Sequence, residues 1–473
     1  MPENALKPLF EAYTGQQLRD CAELPSSGSH RRYFRMTGGN LSLIGVLGTD
    51  REENLAFINL SNHFRSKGIP VPAVFASSDD GLAYIQQDLG DRMLFDMVSQ
   101  GRESGIYSSY ETGLLCQAIE QLPRLQFQGA EGLDWNVCYR QKAFDGRMVD
   151  FDLNYFKYCF LKATGLEFNE VALQDDFERL KKDLLKEEDN TFMHRDFQAR
   201  NIMMHDGAPW IIDFQGGRRG PIYYDVASFI WQARSRFPED LKQELIRTYL
   251  RALRSYKKVD EAEFRSRLRL FVLFRTLQVL GAYGFRGYFE KKPHFIASVP
   301  YAMSNLRTLL QTPFDDYPYL NSILTELTGM PQFNEDPQDK RLEVRIYSFA
   351  YKKGIPADTT GNGGGYVFDC RSINNPGKYE HYRQFNGNDP EVIKFLEDDG
   401  EVLVFLDSVY KLLDAHVQRY IERKFTHLQV CFGCTGGQHR SVYCAEHLAR
   451  HLADKFSVKV ILTHREMNIE KML

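Results

Sequence analysis

Asp196, Asn201 and Asp213 stand close together in the stretch formed by residues 193–229. Asn201 follows Asp196 by five positions, and a short apolar run then ends at Asp213. Phosphoryl transfer uses a carboxylate to orient the acceptor hydroxyl and accept its proton, and further oxygen ligands to hold Mg²⁺ against the phosphates. The spacing therefore predicts Asp196 as the catalytic base and Asn201 and Asp213 as Mg²⁺ ligands. A buried cluster in an unrelated hairpin is the alternative interpretation.

His194 and Arg195 precede Asp196 and complete the spacing H-R-D-x-x-x-x-N of kinase catalytic loops. The stretch resembles the aminoglycoside phosphotransferase-like branch of the protein-kinase fold, whose members modify small molecules. Asp213 begins Asp-Phe-Gln in place of the kinase Asp-Phe-Gly, and only eleven residues separate it from Asp225, too few for a long activation segment. The resemblance implies an enzyme that uses ATP and Mg²⁺, with His194, Arg195 and Asp196 as catalytic residues.

Further segments indicate which kinases of this branch the chain resembles. Gly220-Pro221, the run 224–228 and the later segment 275–300 are similar to AmgK-type kinases, which phosphorylate the anomeric hydroxyl of N-acetylmuramate and N-acetylglucosamine. The resemblance implies an amino-sugar substrate of cell-wall (peptidoglycan) recycling. It also places Asp152 near the sugar, for which a solvated helix face is the alternative. The basic residues of 286–294 either face an anionic substrate group or form a solvated turn.

The elements that must position these residues begin with a small-residue segment. Ser27, Gly28 and Ser29 precede Arg31 and the first long strand. In the kinase fold, a hairpin at this place lays backbone N–H groups over the nucleotide phosphates. We therefore expect these four residues to bind ATP. An ordinary turn also accounts for the small residues.

The next strand, residues 41–47, lacks the lysine that grips the α- and β-phosphates in most kinases. AmgK-type kinases often carry an apolar residue at this point. The arginines that could replace the lysine are Arg31, Arg32 and Arg35. Glu52 or Glu53, in the first turn of a helix predicted to run to about Lys67, is the candidate partner of such a cation, and a solvated carboxylate is the alternative.

The run 84–90 is predicted to be the strand and hinge between two lobes, where Gln87 and Asp88 bring backbone groups to the purine of ATP. An ordinary edge strand and turn is the alternative. From residue 94 onwards, apolar residues recur at three- and four-residue intervals, as they do in helices. Residues 1–328 are therefore predicted to form an α+β two-lobed protein-kinase-like domain.

Residues 329–340 are polar and contain two prolines, so we expect a linker. In residues 341–473, strands and helices alternate, which predicts a small α/β domain with parallel strand pairing. Its candidate site is a glycine-rich loop between a buried strand and a helix that is expected to start near Val442, because a helix N-terminus attracts anions. The residues predicted to bind a phosphate group are Thr435, Gly436, Gly437, Gln438, His439, Arg440 and Ser441. A purely structural glycine turn is the alternative.

This loop and its flanking motifs resemble the C-terminal domain of the RNase adapter protein RapZ. The similarity covers nearly all of residues 342–466 and includes Phe-Asp-Cys-Arg at 368–371 and His-Arg-Glu at 464–466. In that family the domain binds glucosamine 6-phosphate and a small regulatory RNA, so the resemblance implies a sugar-phosphate effector. RNA stays possible but is disfavoured, because residues 341–473 contain 18 Lys and Arg against 17 Asp and Glu.

The length, charge and composition of the whole chain limit the classes of protein that fit these motifs. Its 473 residues exceed the size at which one core stops growing, and its 59 basic and 63 acidic residues create no global field that attracts nucleic acid or a membrane. It has no basic leader, and no stretch is expected to approach the roughly 20 apolar residues of a membrane span. Eight scattered cysteines are expected to be reduced, with Cys431 and Cys434 as loop residues. These features predict a cytoplasmic protein.

The predicted function is that of an ATP- and Mg²⁺-dependent amino-sugar kinase with a C-terminal domain that senses a sugar phosphate. Two alternatives stay open. A kinase of another small alcohol or of an aminoglycoside keeps every catalytic residue. A non-catalytic, nucleotide-sensing RNA adapter of RapZ type fits the missing strand lysine.

Overall fold

The computed structural model describes residues 3–25, 31–333, 341–358, 364–423 and 425–473. The chain divides into two compact units, Met1–Asp336 and Pro337–Leu473. This division falls inside the predicted linker, of which residues 334–340 lie outside the described part of the chain. Each unit is described by itself.

An antiparallel sheet opens the first unit. Its five strands are β1 (Asp20–Leu24), β2 (Arg32–Gly38), β3 (Leu41–Leu47), β4 (Val74–Ser77) and β5 (Ala83–Gln87). Their order in the sheet is β1-β2-β3-β5-β4. Phe34 and Met36 alternate with more exposed residues along β2, as the period of a strand requires when one face is buried. They form a core with Leu6 and Phe10 of helix α1 (Glu3–Thr14).

The sheet carries one further helix, α2 (Arg51–Ser66). The Asp50 side chain caps this helix by accepting the N–H groups of Glu52 at 3.0 Å and Glu53 at 3.3 Å. Phe57 and Leu60, three residues apart, are both buried on the same face. The cap thus fixes the first turn of α2 and, with it, the direction of Glu53.

Helices dominate the rest of this unit. They are α3 (Leu94–Met97), α4 (Ser99–Ser104), α5 (Ser109–Glu120), α6 (Leu122–Phe127), α7 (Gly146–Phe156), α8 (Glu170–Leu184), α9 (Tyr223–Ile230), α10 (Glu239–Leu253), α11 (Glu261–Gly284), α12 (Pro293–Ile296), α13 (Val299–Leu310) and α14 (Pro318–Gly329). Helix α11 packs against α7, α9 and α13. An antiparallel sheet lobe followed by a helical lobe is the predicted α+β two-lobed fold, which is confirmed.

Among the described residues, one helical segment, Glu261–Phe289, has the length and apolar composition of a membrane span. No such stretch was expected from the sequence. However, 61% of its most apolar window is buried inside the protein. The segment is apolar on most sides because α11 is surrounded by other helices of the core.

Two short antiparallel pairs carry the catalytic stretch. Strand β6 (Thr191–Met193) pairs with β9 (Arg218–Gly220). The hairpin between them is formed by β7 (Ile202–His205) and β8 (Ala208–Ile211). Its turn residues, Asp206 and Gly207, both have positive φ, as a tight hairpin turn requires.

The second unit is a five-stranded sheet with three longer helices. Its strands are β10 (Glu343–Ala350), β11 (Tyr366–Asp369), β12 (His427–Cys434), β13 (Lys459–His464) and β14 (Ile469–Met472). Their order is β11-β12-β10-β13-β14, and all described pairs except the antiparallel β13–β14 are parallel. The helices are α15 (Pro390–Asp399), α16 (Glu401–Glu422) and α17 (Arg440–Lys455). The predicted small α/β domain with parallel pairing is confirmed.

Two local predictions in this unit need correction. Helix α17 begins at Arg440, two residues before the predicted start. Cys431 and Cys434 lie in β12, so their interpretation as loop residues is wrong. All eight cysteines are free in the structure.

Candidate functional site

The candidate catalytic loop, which follows β6, is held by a buried carboxylate that sequence reasoning missed. Asp225, in the first turn of α9, accepts the backbone N–H groups of His194 at 2.6 Å and Arg195 at 2.8 Å. Arg195 has a φ of 76°, a strained value for a residue with a side chain. Asp225 therefore stabilises a loop backbone that the local sequence alone disfavours. Its place in the motif at 224–228 was the only sequence signal.

Burial dominates the electrostatics of Asp225. The side chain is fully buried, which raises the pKa of the carboxyl group to about 6 although His194 and the two backbone N–H groups favour the charged form. A carboxylate inside the core is tolerated only when hydrogen bonds satisfy it. The two N–H groups supply these bonds.

His194 connects the catalytic loop to the segment that ends at Asp213. Its Nε2 lies 3.0 Å from the carbonyl oxygen of Ile212, and its Nδ1 lies 3.3 Å from the backbone nitrogen of Asp196. A proton on Nε2 lets the ring donate to the carbonyl group, and Nδ1 accepts from the N–H group. His194 therefore positions the loop.

Asp196 lies among three nitrogen donors. Its Oδ1 accepts from Arg275 at 2.9 Å, and its Oδ2 accepts from Arg200 at 2.7 Å and from the Asn201 amide at 3.1 Å. Burial raises the pKa of the carboxyl group, but Arg200 and Arg275 outweigh burial and hold the pKa at about 2. About 30% of the side chain is exposed. An ionised carboxylate is therefore available to orient an acceptor hydroxyl.

The two arginines around Asp196 come from different elements. Arg275 lies in α11, is mostly buried, and its Nε donates to the Ser228 hydroxyl at 3.2 Å. Arg200 lies just before β7 and is half exposed. Sequence reasoning assigned neither of them a role in the site. Together they place two positive charges beside the carboxylate.

The Arg195 side chain pairs with Asp152. Its guanidinium lies 3.2 Å from Asp152 Oδ1, and the Asp152 side chain is only 8% exposed. The alternative that Asp152 lies on a solvated helix face is therefore wrong. Burial raises the pKa of Asp152, although Arg195 and Arg275 oppose the shift.

The two predicted metal ligands lie on adjacent backbone segments. The Ile212 N–H group donates to the Asn201 carbonyl oxygen at 3.0 Å, directly before Asp213. The Asn201 amide nitrogen also donates to the Asp196 carbonyl oxygen at 2.8 Å, so the amide oxygen is the Asn201 side-chain group that can ligate a cation. Asp213 has a left-handed backbone (φ 61°), and its side chain is 40% exposed.

These groups suit Mg²⁺. This ion prefers oxygen ligands and is commonly held by one or two protein side chains together with substrate phosphates. Asn201 and Asp213 provide such a pair. The described residues contain no group of three or more His, Cys, Asp and Glu side chains, which an all-protein metal cage would require.

Of the three arginines considered as replacements for the strand lysine, Arg31 is the one that contacts Asp213 and Glu53. Its NH2 donates to Asp213 Oδ1 at 2.9 Å, and its Nε lies 3.4 Å from Glu53 Oε1. Its side chain is only 2% exposed. The other two candidates face elsewhere, because Arg32 pairs with Glu23 at the surface and Arg35 pairs with the carboxylates of Asp88 and Asp91.

Of the remaining predicted nucleotide-binding residues, only Gln87 and Asp88 lie among the described residues. Ser27, Gly28 and Ser29 lie outside the described residues. The Gln87 N–H group donates to the Ala73 carbonyl oxygen at 2.8 Å. The Asp88 carboxylate is held by Arg35 at 2.8 Å and by the Ser42 hydroxyl at 2.5 Å. Asp88 thus ties β2 and β3 to the segment after β5.

A second candidate site lies in the second unit, at the loop between β12 and α17. A cavity of about 380 Å³ is lined by Thr435 and Arg440. Three further residues with charged side chains line it, namely Arg371, Lys378 and Glu401, which sequence reasoning did not assign. The three cations outnumber the one carboxylate, so the cavity suits an anion.

The other predicted residues of this loop do not line the cavity, and Gln438 and His439 contact backbone carbonyl groups instead. The Gln438 side chain donates to the Phe385 carbonyl oxygen at 2.6 Å, and His439 Nε2 lies 2.9 Å from the Tyr382 carbonyl oxygen. Ser441 is fully buried. Gly436 is exposed, whereas Gly437 is buried with a φ of 67°. The structure therefore brings two of the seven predicted side chains to the cavity wall.

Comparison with known proteins agrees with this division. The sequence profile of the phosphotransferase enzyme family matches residues 20–261, just over half of the chain. The profile of the RapZ C-terminal domain matches residues 342–468.

Two curated relatives each match about a quarter of the chain. A nucleotide-binding protein of Xylella fastidiosa strain M12 is 37% identical over 127 residues, which cover 27% of this chain and 42% of that protein. A nucleotide-binding protein of Thermosipho melanesiensis is 41% identical over 128 residues, which cover 27% of this chain and 44% of that protein. The chain thus spans less than half the length of these relatives.

Two solved structures match about two thirds of the chain at low identity. A protein from Ralstonia eutropha described as an aminoglycoside phosphotransferase has a TM-score of 0.46 at 11% identity, covering 65% of this chain and 98% of that chain. Choline kinase from Cryptosporidium parvum has a TM-score of 0.45 at 12% identity, covering 67% of this chain and 94% of that chain.

Proposed function

Since the chain belongs to the phosphotransferase enzyme family, we propose that it transfers the γ-phosphate of ATP to an amino sugar of the N-acetylmuramate or N-acetylglucosamine type. The observation that carries this proposal is the Asp196 carboxylate, ionised and partly exposed, beside Asn201 in a loop that Asp225 fixes. These are the groups that phosphoryl transfer requires.

Each residue has one task in this proposal. Asp196 orients the acceptor hydroxyl and receives its proton. Asn201 and Asp213 hold Mg²⁺, which neutralises charge on the β- and γ-phosphates when bound. Arg31 replaces the strand lysine and, with Glu53 and Asp213 at its sides, directs a positive charge at the ATP phosphates. His194 and Arg195 position the loop.

The charge around Asp196 supports an anionic acceptor. Arg200 and Arg275 flank the carboxylate, and a carboxylate on the acceptor is attracted by such guanidinium groups. The basic residues of 286–294 contribute less positive charge, because Arg286 and Lys292 both pair with Glu290. N-acetylmuramate carries a lactyl carboxylate and N-acetylglucosamine does not. We therefore expect N-acetylmuramate to be the better substrate.

The test is ATP consumption with N-acetylmuramate, N-acetylglucosamine, glucosamine, choline and an aminoglycoside, run beside Asp196→Asn. We expect turnover of the acetylated amino sugars, faster for N-acetylmuramate, and its loss in the variant. Arg200→Gln should reduce the preference for N-acetylmuramate. Turnover of choline or the aminoglycoside alone would identify that compound, rather than an acetylated amino sugar, as the acceptor. No turnover at all would favour the non-catalytic alternative.

The second unit is proposed to bind a sugar phosphate such as glucosamine 6-phosphate in the cavity beside Thr435 and Arg440. Three lining cations support this assignment. RNA is not proposed, because the unit has no basic surplus. The ligand is proposed to adjust the kinase rate, and equal rates at zero and saturating glucosamine 6-phosphate would rule out this coupling.

The cytoplasm is the proposed location. ATP is the phosphate donor in this proposal, and the eight free cysteines suit a reducing compartment. Fractionation of cells that produce the full chain tests this assignment.

A further inference from the structure

Arg234 is an exposed arginine on the segment that follows α9. Among the described residues it has neither a hydrogen bond nor an ion pair. Arg200 and Arg275 differ from it, because both already donate to the Asp196 carboxylate. Of these three guanidinium groups, that of Arg234 is therefore the one left free to bind an anion.

The backbone around Arg234 is attached to the catalytic loop. The side-chain oxygen of Gln232, two residues before Arg234, accepts the Ala199 N–H group at 3.2 Å. Ala199 directly precedes Arg200, so this hydrogen bond joins the segments that carry Arg200 and Arg234. Arg234 is thus held next to the loop that carries Asp196.

Tyr283 approaches the same place from α11. It follows Arg275 by eight residues, and Val279 lies midway, so the three residues continue one side of the helix. Residues 271–277 are buried, whereas residues 278, 279, 282 and 283 are partly exposed. The side of α11 that contacts Asp196 through Arg275 therefore reaches solvent at Tyr283.

The Tyr283 hydroxyl is surrounded by the same charges. Burial raises its pKa, although the positive charges of Arg200, Arg275 and Arg234 oppose the shift. The hydroxyl therefore keeps its proton at neutral pH and can donate a hydrogen bond. It has no hydrogen-bond partner within the described part of the chain, so this donor is available to a ligand.

A further cation adds to the positive charge around Arg234. Burial lowers the pKa of Arg102, and the charge of Arg234 lowers it further, although Asp96 opposes the shift. Like charges disfavour each other's charged form, and an anion bound beside them relieves the repulsion. The surroundings of Arg234 thus favour a negatively charged ligand.

We propose that Arg234 and Tyr283 bind a carboxylate group carried by the acceptor sugar and so select an acidic sugar over a neutral one. This inference rests on the proposed transfer of phosphate to an amino sugar and names the residues that recognise its acid. Arg234 pairs with the carboxylate, and the Tyr283 hydroxyl donates to one of its oxygens. Arg200 and Arg275, which are paired with Asp196, add a weaker attraction.

The spacing along α11 suits a sugar that carries its acid on a side chain. Eight residues separate Arg275 from Tyr283, which corresponds to about 12 Å along the helix axis. Arg275 lies 2.9 Å from Asp196, where the reacting hydroxyl is held. A carboxylate on a substituent of the sugar ring extends from that hydroxyl towards Tyr283.

The test compares N-acetylmuramate with its methyl ester, which keeps the lactyl group but removes its charge. Steady-state kinetics of the full chain give kcat/KM for both compounds. The wild type is expected to prefer the acid by at least about tenfold, mainly through KM, because charge-assisted hydrogen bonds are stronger than neutral ones. Arg234→Gln should reduce this preference to about twofold or less, and Tyr283→Phe should reduce it by about threefold. Arg234→Lys keeps the charge and should retain most of the preference.

Arg254→Gln is the matched control. Arg254 is also exposed and has no ion pair among the residues that the structure describes. It follows the last residue of α10, whereas Arg234 precedes the first, so about 22 Å of helix separates them. This variant should prefer the acid as strongly as the wild type does.

The outcomes separate this inference from the proposed function. No turnover of these compounds or of N-acetylglucosamine by the wild type would contradict the function and, with it, the inference. Equal use of the acid and the ester by the wild type, or a preference that Arg234→Gln leaves unchanged, would overturn the inference alone. Loss of N-acetylglucosamine turnover in Arg234→Gln would also overturn it, since Arg234 would then have a task other than binding the acid.

Discussion

Asp196 is surrounded by more positive charge than a strong general base tolerates. With a pKa of about 2, it has little affinity for a proton at neutral pH. In a loose phosphoryl-transfer transition state the attacking hydroxyl loses its proton late, so orientation matters more than basicity. The arginines thus suit a carboxylate whose main task is to hold the acceptor in line.

The depressed pKa of Asp196 predicts how stability depends on pH. Its folded value, about 2, lies below its ordinary value of 3.8, so its contribution is present above about pH 4 and is lost as the pH falls through about 2. The difference in free energy of unfolding between the wild type and Asp196→Asn should be constant from pH 8 to 5. The free energy of unfolding of the wild type, relative to that of Asp196→Asn, should then fall by about 2 kcal/mol as the pH approaches 2. Urea unfolding measures it, and a change between pH 8 and 5 would contradict the assignment.

Arg31 is predicted to serve ATP. Arg31→Ala should raise KM for ATP and lower kcat, together by about 10²-fold in kcat/KM, because a buried cation beside Asp213 is lost. Arg31→Lys should lose less, since it keeps the charge. Steady-state kinetics with varied ATP measure both.

Arg32→Ala is the matched control for this prediction. Arg32 is the next residue, but it pairs with Glu23 at the surface. Its removal should change kcat/KM by less than about twofold, because exposed ion pairs contribute little. Equal kinetics in Arg31→Ala and Arg32→Ala would leave the missing lysine without a replacement.

At the scale of elements, each candidate site is shaped by the end of a strand and the start of a helix. Strand β6 ends at Met193, and the first turn of α9 brings Asp225 to the next two backbone N–H groups. Strand β12 ends at Cys434, and α17 starts at Arg440. In both places the loop carries the chemistry, and the elements on either side fix its shape.

Gly437 is predicted to be indispensable for the loop between β12 and α17. Its φ is 67°, and a Cβ atom would lie 2.8 Å from the Ala350 backbone nitrogen. Gly437→Ala should therefore distort the loop and weaken glucosamine 6-phosphate binding by at least about tenfold. Calorimetry measures the affinity.

Gly436→Ala is the control, because a Cβ atom at Gly436 meets nothing within 4 Å and the backbone has no positive φ. It should bind the ligand with nearly unchanged affinity. Equal losses in both variants would mean that the loop tolerates no side chain at all, rather than that the backbone of Gly437 is special.

At the scale of the whole molecule, each unit has its own apolar core. A core of that kind unfolds cooperatively, so calorimetry should resolve two thermal transitions. Glucosamine 6-phosphate at about 100 times its Kd should raise one of them by a few degrees, and ATP with Mg²⁺ should raise the other. Gly437→Ala should abolish only the first shift. A single transition raised by both ligands would contradict this expectation.

The sequence predicted best what depends on neighbouring residues. The spacing from His194 to Asn201 lies within one loop, and the run before Asp213 is one short strand, so both can be found from spacing and apolar pattern. The alternation of strands and helices in residues 341–473 likewise indicated parallel pairing, which the sheet confirms. The assignment of Cys431 and Cys434 to a loop failed, because a zinc-type spacing in a loop and a buried strand end look alike in sequence.

The sequence by itself determined the two fold classes and the chemical groups of the catalytic loop, because local spacing and periodicity encode them. Only the tertiary structure decided which cations meet which carboxylates. Arg31 reaches Asp213 across 182 residues, and Arg275 reaches Asp196 across 79. The Nε of Arg440 is buried by packing and has no hydrogen-bond partner among the described residues, which no spacing reveals. Such pairings depend on which surfaces the folded chain brings together, and the charge of a residue does not name its partner.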